Sequence, residues 1–184
     1  MGRMTDTDAI LSAAEKLLDR NGFSATSIDR LTDAAGVSSR TFYKHVGSRQ
    51  ALIAAILDAR AKRFLAAMPR TGTDALFAAL GDWFETQGAN GCFFLRAARE
   101  IGEGDARAQT RLTAQKQQTL DRIGDCVASD LGRRDDALAG QILILFEGAT
   151  HAAVYRGRAA VADSRAAAAT LLAAAHIRSG AAHA

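Results

Sequence analysis

Hydrophobic residues recur at helical spacing along nearly the whole chain. Ile10, Ala13, Ala14, Leu17 and Leu18 form an apolar stripe with a period of about 3.6 residues, closed by Asn21-Gly22, and predict a first amphipathic helix. Thr26 or Ser27 can cap a second helix. Thr26 with Asp29 has the spacing of a capping box, and Ile28, Leu31, Thr32 and Ala35 share one face that stops at Gly36. Gly36 supplies the φ > 0 geometry of a tight turn, and Ser38 is a candidate N-cap for a third helix. On that helix Ser39, Arg40, Tyr43 and Lys44 fall on one polar face, while Val37, Phe42 and Val46 anchor the unit from below. Two short helices joined by a Gly-containing turn, after a first helix, make a helix-turn-helix.

The pattern continues. Gln50 to Ala67 extends helically through Leu52, Ile53, Ile56, Leu57 and Phe64, and Met68 to Thr73, with Pro69 and Gly72, breaks it. A fifth helix is expected from Asp74 to Gln87, then a loop at Gly88-Ala89-Asn90-Gly91 and a sixth helix opening at Cys92-Phe93-Phe94-Leu95. Gly102-Glu103-Gly104-Asp105 ends it and starts a long polar helix reaching Leu131, with Leu120, Ile123, Val127 and Leu131 as its buried stripe. From Asp136 to Tyr155 two stripes run side by side: Leu138, Ile142, Leu145, Ala149 and Ala152, and Gln141, Ile144, Gly148, His151 and Tyr155. Two usable faces predict a sandwiched helix. A final Ala-rich helix runs from about Ala160 to Arg178. The expected fold is all-α with about nine helices: a three-helix helix-turn-helix domain over 1–49 and a larger helical domain over 50–184.

The N-terminal segment resembles the DNA-binding domain of the tetracycline-repressor (TetR) family of bacterial transcriptional regulators. The resemblance rests on Ile10–Ala14, Asn21-Gly22-Phe23, Thr26-Ser27, Leu31, Ala35-Gly36-Val37-Ser38, Thr41-Phe42-Tyr43 and Ser48-Arg49-x-x-Leu52, in order and at matching spacing. It implies that Thr26 or Ser27, Tyr43, His45 and Arg49 touch phosphates. Ser39, Arg40, Thr41 and Lys44 would face base edges or the backbone near them, with Ser38 at the start of the same surface. This chain departs from the family pattern at Thr32 and Val46, where Ala and Phe are usual, and at Arg49, which replaces Lys. Asp29 stands where some relatives carry a base-contacting cation and is read as a capping acid.

The resemblance further implies a homodimer through the last two helices and a small-molecule effector bound in the C-terminal domain, with palindromic operator DNA as the main partner. Phe77, Trp83, Phe84, Phe94, Phe146, His151 and Tyr155 are the candidate effector residues, because most of the chain's aromatics collect there beside a few polar groups. No ligand residue transfers by motif in this half.

A net charge of +3 over 184 residues leans basic without forming a nucleic-acid tail. No phosphate loop, zinc-protease motif or nucleophile elbow occurs, which argues against an enzyme, and no cofactor or metal is expected. Met1 to Asp8 lacks an apolar targeting core, and Ala166 to Ile177 is too short to span a bilayer, so a cytoplasmic protein is expected without a membrane partner. Cys92 and Cys126 match no zinc spacing and are expected as reduced thiols, a redox role being the alternative. The competing functional reading is a helical small-molecule-binding or interaction protein that does not bind DNA. Exposed cations on the third helix would speak against it.

Overall fold

A computed structural model describes residues 6–101 and 106–181. The expected break at Gly102–Asp105 lies outside them. Among the described residues there are nine helices and no strand: α1 Asp6–Asn21, α2 Ile28–Ala35, α3 Ser39–Val46, α4 Arg49–Ala67, α5 Thr73–Gln87, α6 Phe93–Ile101, α7 Ala106–Leu131, α8 Asp136–Arg156 and α9 Arg158–Ala181. The chain divides into two compact units, residues through 62 with 93–113, and residues 63–92 with 114 onward.

In the first unit Ile10, Ala14 and Leu18 of α1, Leu31 of α2, Phe42 of α3, and Leu52, Ile56 and Leu57 of α4 are all buried. This is why the unit runs past the expected division at 49: the first turns of α4 form one of its walls. Arg60 of α4 is itself buried and reaches Glu15 at 2.9 Å and Asp19 at 3.7 Å on α1. Its guanidinium also lies 4.4 Å from the centre of the Phe93 ring of α6, and Phe93 stacks obliquely on Phe23 at 5.0 Å. Arg111, near the start of α7, makes a two-pronged pair with Asp58 of α4 at 2.8 and 3.0 Å.

The second unit has its own core of Met68, Leu76, Phe77, Leu80, Ile123, Cys126, Val127, Leu138, Ile142, Phe146 and Val161. Helix α9 packs along α8 and α5. It does so through Val161, Ala168 and Ala175, spaced seven residues apart, so one narrow seam of small side chains faces inward and backbones come close. Arg122 of α7 donates to the carbonyls of Leu65, at 2.9 Å, and Met68, placing a cation at the C-terminal end of α4. Helix α8 turns its inner face slightly from the expected stripe. Phe146 and Ala153 are buried where Leu145 and Ala152 were expected, because the Phe146 ring fits between Phe64 and Phe77, at 6.2 and 5.9 Å. By length and composition α8 is also apolar enough to cross a membrane. Its buried face, running from Leu138 to Ala153, is that of a core helix.

Candidate functional site

The turn between α2 and α3 is built residue by residue from caps. Gly36 takes φ 66° and ψ 30°, the left-handed conformation that ends α2, and its N–H donates to the Asp33 carbonyl at 3.1 Å. The Val37 N–H closes on the Thr32 carbonyl at 3.1 Å, so the last carbonyls of α2 are satisfied before the chain turns. Ser38 then starts α3 in extended geometry, its hydroxyl accepting the Thr41 N–H at 3.2 Å.

Phe42 points into the unit and is fully buried, and burying such a side chain contributes about 1.5–3 kcal/mol. With Phe42 fixed inward, helical periodicity sends Ser39, Arg40, Tyr43 and Lys44 outward, and all are exposed. Tyr43 is 43% exposed despite its size, its ring edge-on to Phe42 at 5.8 Å. The result is a two-turn helix with hydroxyls, one phenol and two cations facing away from a rigid base, dimensions that suit a major groove.

Residues 10–56 match the family described as bacterial regulatory proteins of the tetR family. Over those residues the chain is similar to the N-terminal domain of that family. Over 55 residues, 30% of this chain, it is 38% identical to the HTH-type transcriptional regulator EthR of Mycolicibacterium smegmatis. The chain spans only 25–30% of the length of the curated relatives it matches. The fold likeness is broader. A TetR-family transcriptional regulator from Streptomyces coelicolor, SCO4454, covers 94% of this chain and 91% of its own with a TM-score of 0.77 at 22% identity. A putative TetR transcriptional regulator from Streptomyces avermitilis covers 93% and 98% with a TM-score of 0.69 at 27% identity. The fold throughout is that of TetR-family regulators.

Within this segment the expected DNA-facing residues separate into two groups. Ser27, Ser38, Ser39, Arg40, Tyr43 and Lys44 are exposed and Thr41 is half-exposed, though the Ser38 and Thr41 hydroxyls already bond each other at 3.0 Å. The rest are committed inward. Thr26 is buried, its hydroxyl donating to the Gly22 carbonyl at 2.6 Å. Ser27 is therefore the α2 cap, accepting from the Arg30 N–H at 3.3 Å, and no Thr26–Asp29 capping box forms. His45 is half-buried with Nδ1 3.1 Å from the Thr7 hydroxyl of α1. Arg49 donates to the Phe23 carbonyl, and its Nη1 is buried with no partner. The geometry makes Arg49 a prop beneath the α1–α2 loop.

The same loop is held by a residue that the sequence reading places only among possible polar contacts of an effector. Glu100, on α6, accepts the Phe23 and Ser24 N–H groups at 2.6 and 3.0 Å, and its carbonyl accepts the Ser24 hydroxyl at 2.8 Å. Arg96 braces it at 3.6 Å and donates to the Asp19 carbonyl at 2.7 Å. Phe23, Ser24, Arg49, Gln50, Ile53, Glu100 and Ile101 enclose a cleft of about 230 Å³ here. No local signal marks Glu100, because its partners lie 76 and 77 residues away in sequence.

The candidate effector residues also part company. Phe77 and Phe146 are core, and Trp83 meets Phe64 edge-on at 5.2 Å, with Phe84 half-buried beside that core. Phe94 belongs to the first unit, against Phe93 at 6.4 Å. His151 and Tyr155 are on the outer surface of the second unit. Both lie on the exposed side of α8, Tyr155 being 79% exposed and His151 Nδ1 sitting 2.9 Å from the carbonyl of Glu147 one turn back. Their register with Ile144 and Gly148 puts them there.

Proposed function

We propose that this protein is a sequence-specific DNA-binding transcriptional regulator, a homodimeric repressor released from its operator by a small molecule. The observation that carries the DNA-binding reading is the capped α2–α3 turn with Phe42 as anchor and Arg40, Tyr43 and Lys44 outward. One short helix reads only a few bases, so two copies related by a two-fold axis on a palindromic operator supply the selectivity a genome requires. The second face of α8 supports the dimer. Gln141, Ile144, Gly148, His151 and Tyr155 are all exposed, with Ile144 73% and Val154 57% exposed, and Ile177 of α9 adds a further bare apolar side chain at 73%. Apolar residues of this size aligned on two adjacent helices fit burial against a second copy. A regulator of this kind acts in the cytoplasm, on chromosomal DNA, without enzymatic chemistry.

The test is binding to the DNA upstream of the protein's own gene, followed by fluorescence anisotropy at several salt concentrations. Lys44→Ala should weaken binding to all sequences and reduce the salt slope by about one. Arg40→Ala should relax preference at particular base pairs, by about 1–3 kcal/mol for each bidentate hydrogen-bonded pairing with a base that it removes. Unchanged affinity in both folded variants would remove α3 from the interface and favour the reading of a helical binding module.

A further inference from the structure

The cleft beneath the loop between α1 and α2 is lined by one cation and one carboxylate, Arg49 and Glu100. The Glu100 oxygens are spent, Oε2 on the Phe23 and Ser24 N–H groups and Oε1 on Arg96 at 3.6 Å. Arg49 is not matched in that way. Its Nη2 donates to an uncharged acceptor, the Phe23 carbonyl, and its Nη1 is buried with no partner among the described residues. A guanidinium keeps its charge in proteins, and a buried donor left unpaired is costly enough to be rare. The adjoining walls are apolar: Phe23 and Ile53 are 1% and 6% exposed, and Ile101 is half-buried. Ser24 and Gln50 are exposed, so the cleft opens to solvent.

We propose that this cleft binds a small monocarboxylate with an apolar ring or branched body. Its carboxylate pairs with Arg49, and its body lies against Phe23, Ile53 and Ile101. One cation with unspent N–H groups calls for one negative charge, since Arg96 already answers Glu100. A planar carboxylate matches the guanidinium fork. Inorganic phosphate would bring a second charge and leave the apolar walls uncovered, and a ligand cation would find no unspent carboxylate. Size agrees with the assignment. A cavity of about 150 Å³ holds benzene, and the cleft, at about 230 Å³, has room for a ring and a carboxylate together. The site belongs to the unit that carries α3 and goes beyond the effector region proposed for the second unit. A molecule bound there ties the α1–α2 loop to the start of α4.

The experiment is a titration of the isotope-labelled full chain with sodium benzoate, followed through its backbone amide signals, with benzamide and inorganic phosphate as comparisons. It is read without DNA, so its result is independent of the regulatory reading. Benzoate should shift the Phe23, Ser24 and Gln50 amides to saturation. It should bind at least about tenfold more tightly than benzamide, because a hydrogen bond between charged groups contributes more than a neutral one. Arg49→Met should erase that preference. Gln50→Trp, at an exposed position of the lining, should weaken benzoate with Arg49 in place. Unmoved Leu31 and Phe42 amides in each variant show that the domain is folded. The proposal is overturned if benzoate leaves the loop amides unmoved, if benzamide or phosphate binds as well as benzoate, or if folded Arg49→Met keeps the preference. Should Arg49→Met loosen the domain, Gln50→Trp decides, and unchanged benzoate affinity there overturns the proposal.

Discussion

Glu100 does at one position what a loop of several residues cannot do alone. Two successive backbone N–H groups, those of Phe23 and Ser24, end on its single carboxylate oxygen Oε2. Gly22 permits the approach: its φ is +83°, and a Cβ there would lie 2.6 Å from Oε2, so no other residue fits without moving the latch. Glu100→Ala should therefore destabilise the first unit by about 1–3 kcal/mol, because it strips a charged acceptor from groups with no equivalent partner. Glu100→Gln, which keeps an acceptor oxygen, should lose less. Denaturant unfolding measures the first effect, and hydrogen exchange at the Phe23 and Ser24 amides localises it. Exchange unchanged in Glu100→Ala would mean the loop is held by Arg49 and Ser24 instead. Arg49 itself shows how position in a motif and role in a structure diverge. The family resemblance implies a phosphate-binding cation there, yet one nitrogen serves the Phe23 carbonyl and another is enclosed. A loss of operator affinity in Arg49→Ala would thus report a loosened domain as well as a missing cation.

Helix α8 carries two element-scale predictions. Its N-cap is Asp135, whose carboxylate accepts the Leu138 N–H at 3.0 Å and pairs with Arg133 at 3.1 Å. The Leu138 hydrogen bond, with Arg133 helping, holds Asp135 below the usual carboxylate range. A depressed folded value stabilises the native state at any pH above the ordinary Asp range and loses that contribution as pH falls through the folded value. Asp135→Ala should cost about 1 kcal/mol at neutral pH, the worth of a cap. The gap to the native protein should close in acid-side urea melts, and a gap constant with pH would rule out the charged cap. The second prediction concerns the outer face. Gly148→Arg or Ile144→Arg would set a charge in the middle of the proposed dimer seam, where an unpaired buried charge costs several kcal/mol. Light scattering should then show monomers, and operator binding should fall sharply with the helix content intact. Dimers that persist in both variants would move the seam off α8.

At the scale of the molecule, the proposed regulation is a linkage between DNA on one unit and an effector on the other. A compound that releases the protein from its operator must bind the released form better, and DNA must weaken that compound's binding by the same factor. Trp83 is the single tryptophan and lies against Phe64 in the second unit, so its emission can read the effector side directly. Titrating such a compound with and without operator should shift the midpoint of the Trp83 signal by the factor seen in the DNA-release assay. A midpoint that ignores DNA would break the proposed coupling.

The order of residues along the chain is enough to set the helices and the caps of the turn between α2 and α3. Apolar residues repeating at the helical period, Gly36 at a left-handed position and Ser38 at an N-cap are decided by backbone geometry within a few residues of each other. The two faces of α8 are equally local, since the stripe from Gln141 to Tyr155 is legible as spacing alone and is exposed throughout. Packing between helices settles what distant neighbours fix. Among these are the burial of the Thr26 hydroxyl, the inward turn of Arg49, and the meeting of Glu100 with a loop more than seventy residues earlier. The placing of Lys116 between Cys92 and Glu147, 24 and 31 residues away, belongs with them. Such pairings depend on how whole helices pack, and a lone charged residue carries no periodic signal of the partner it will meet.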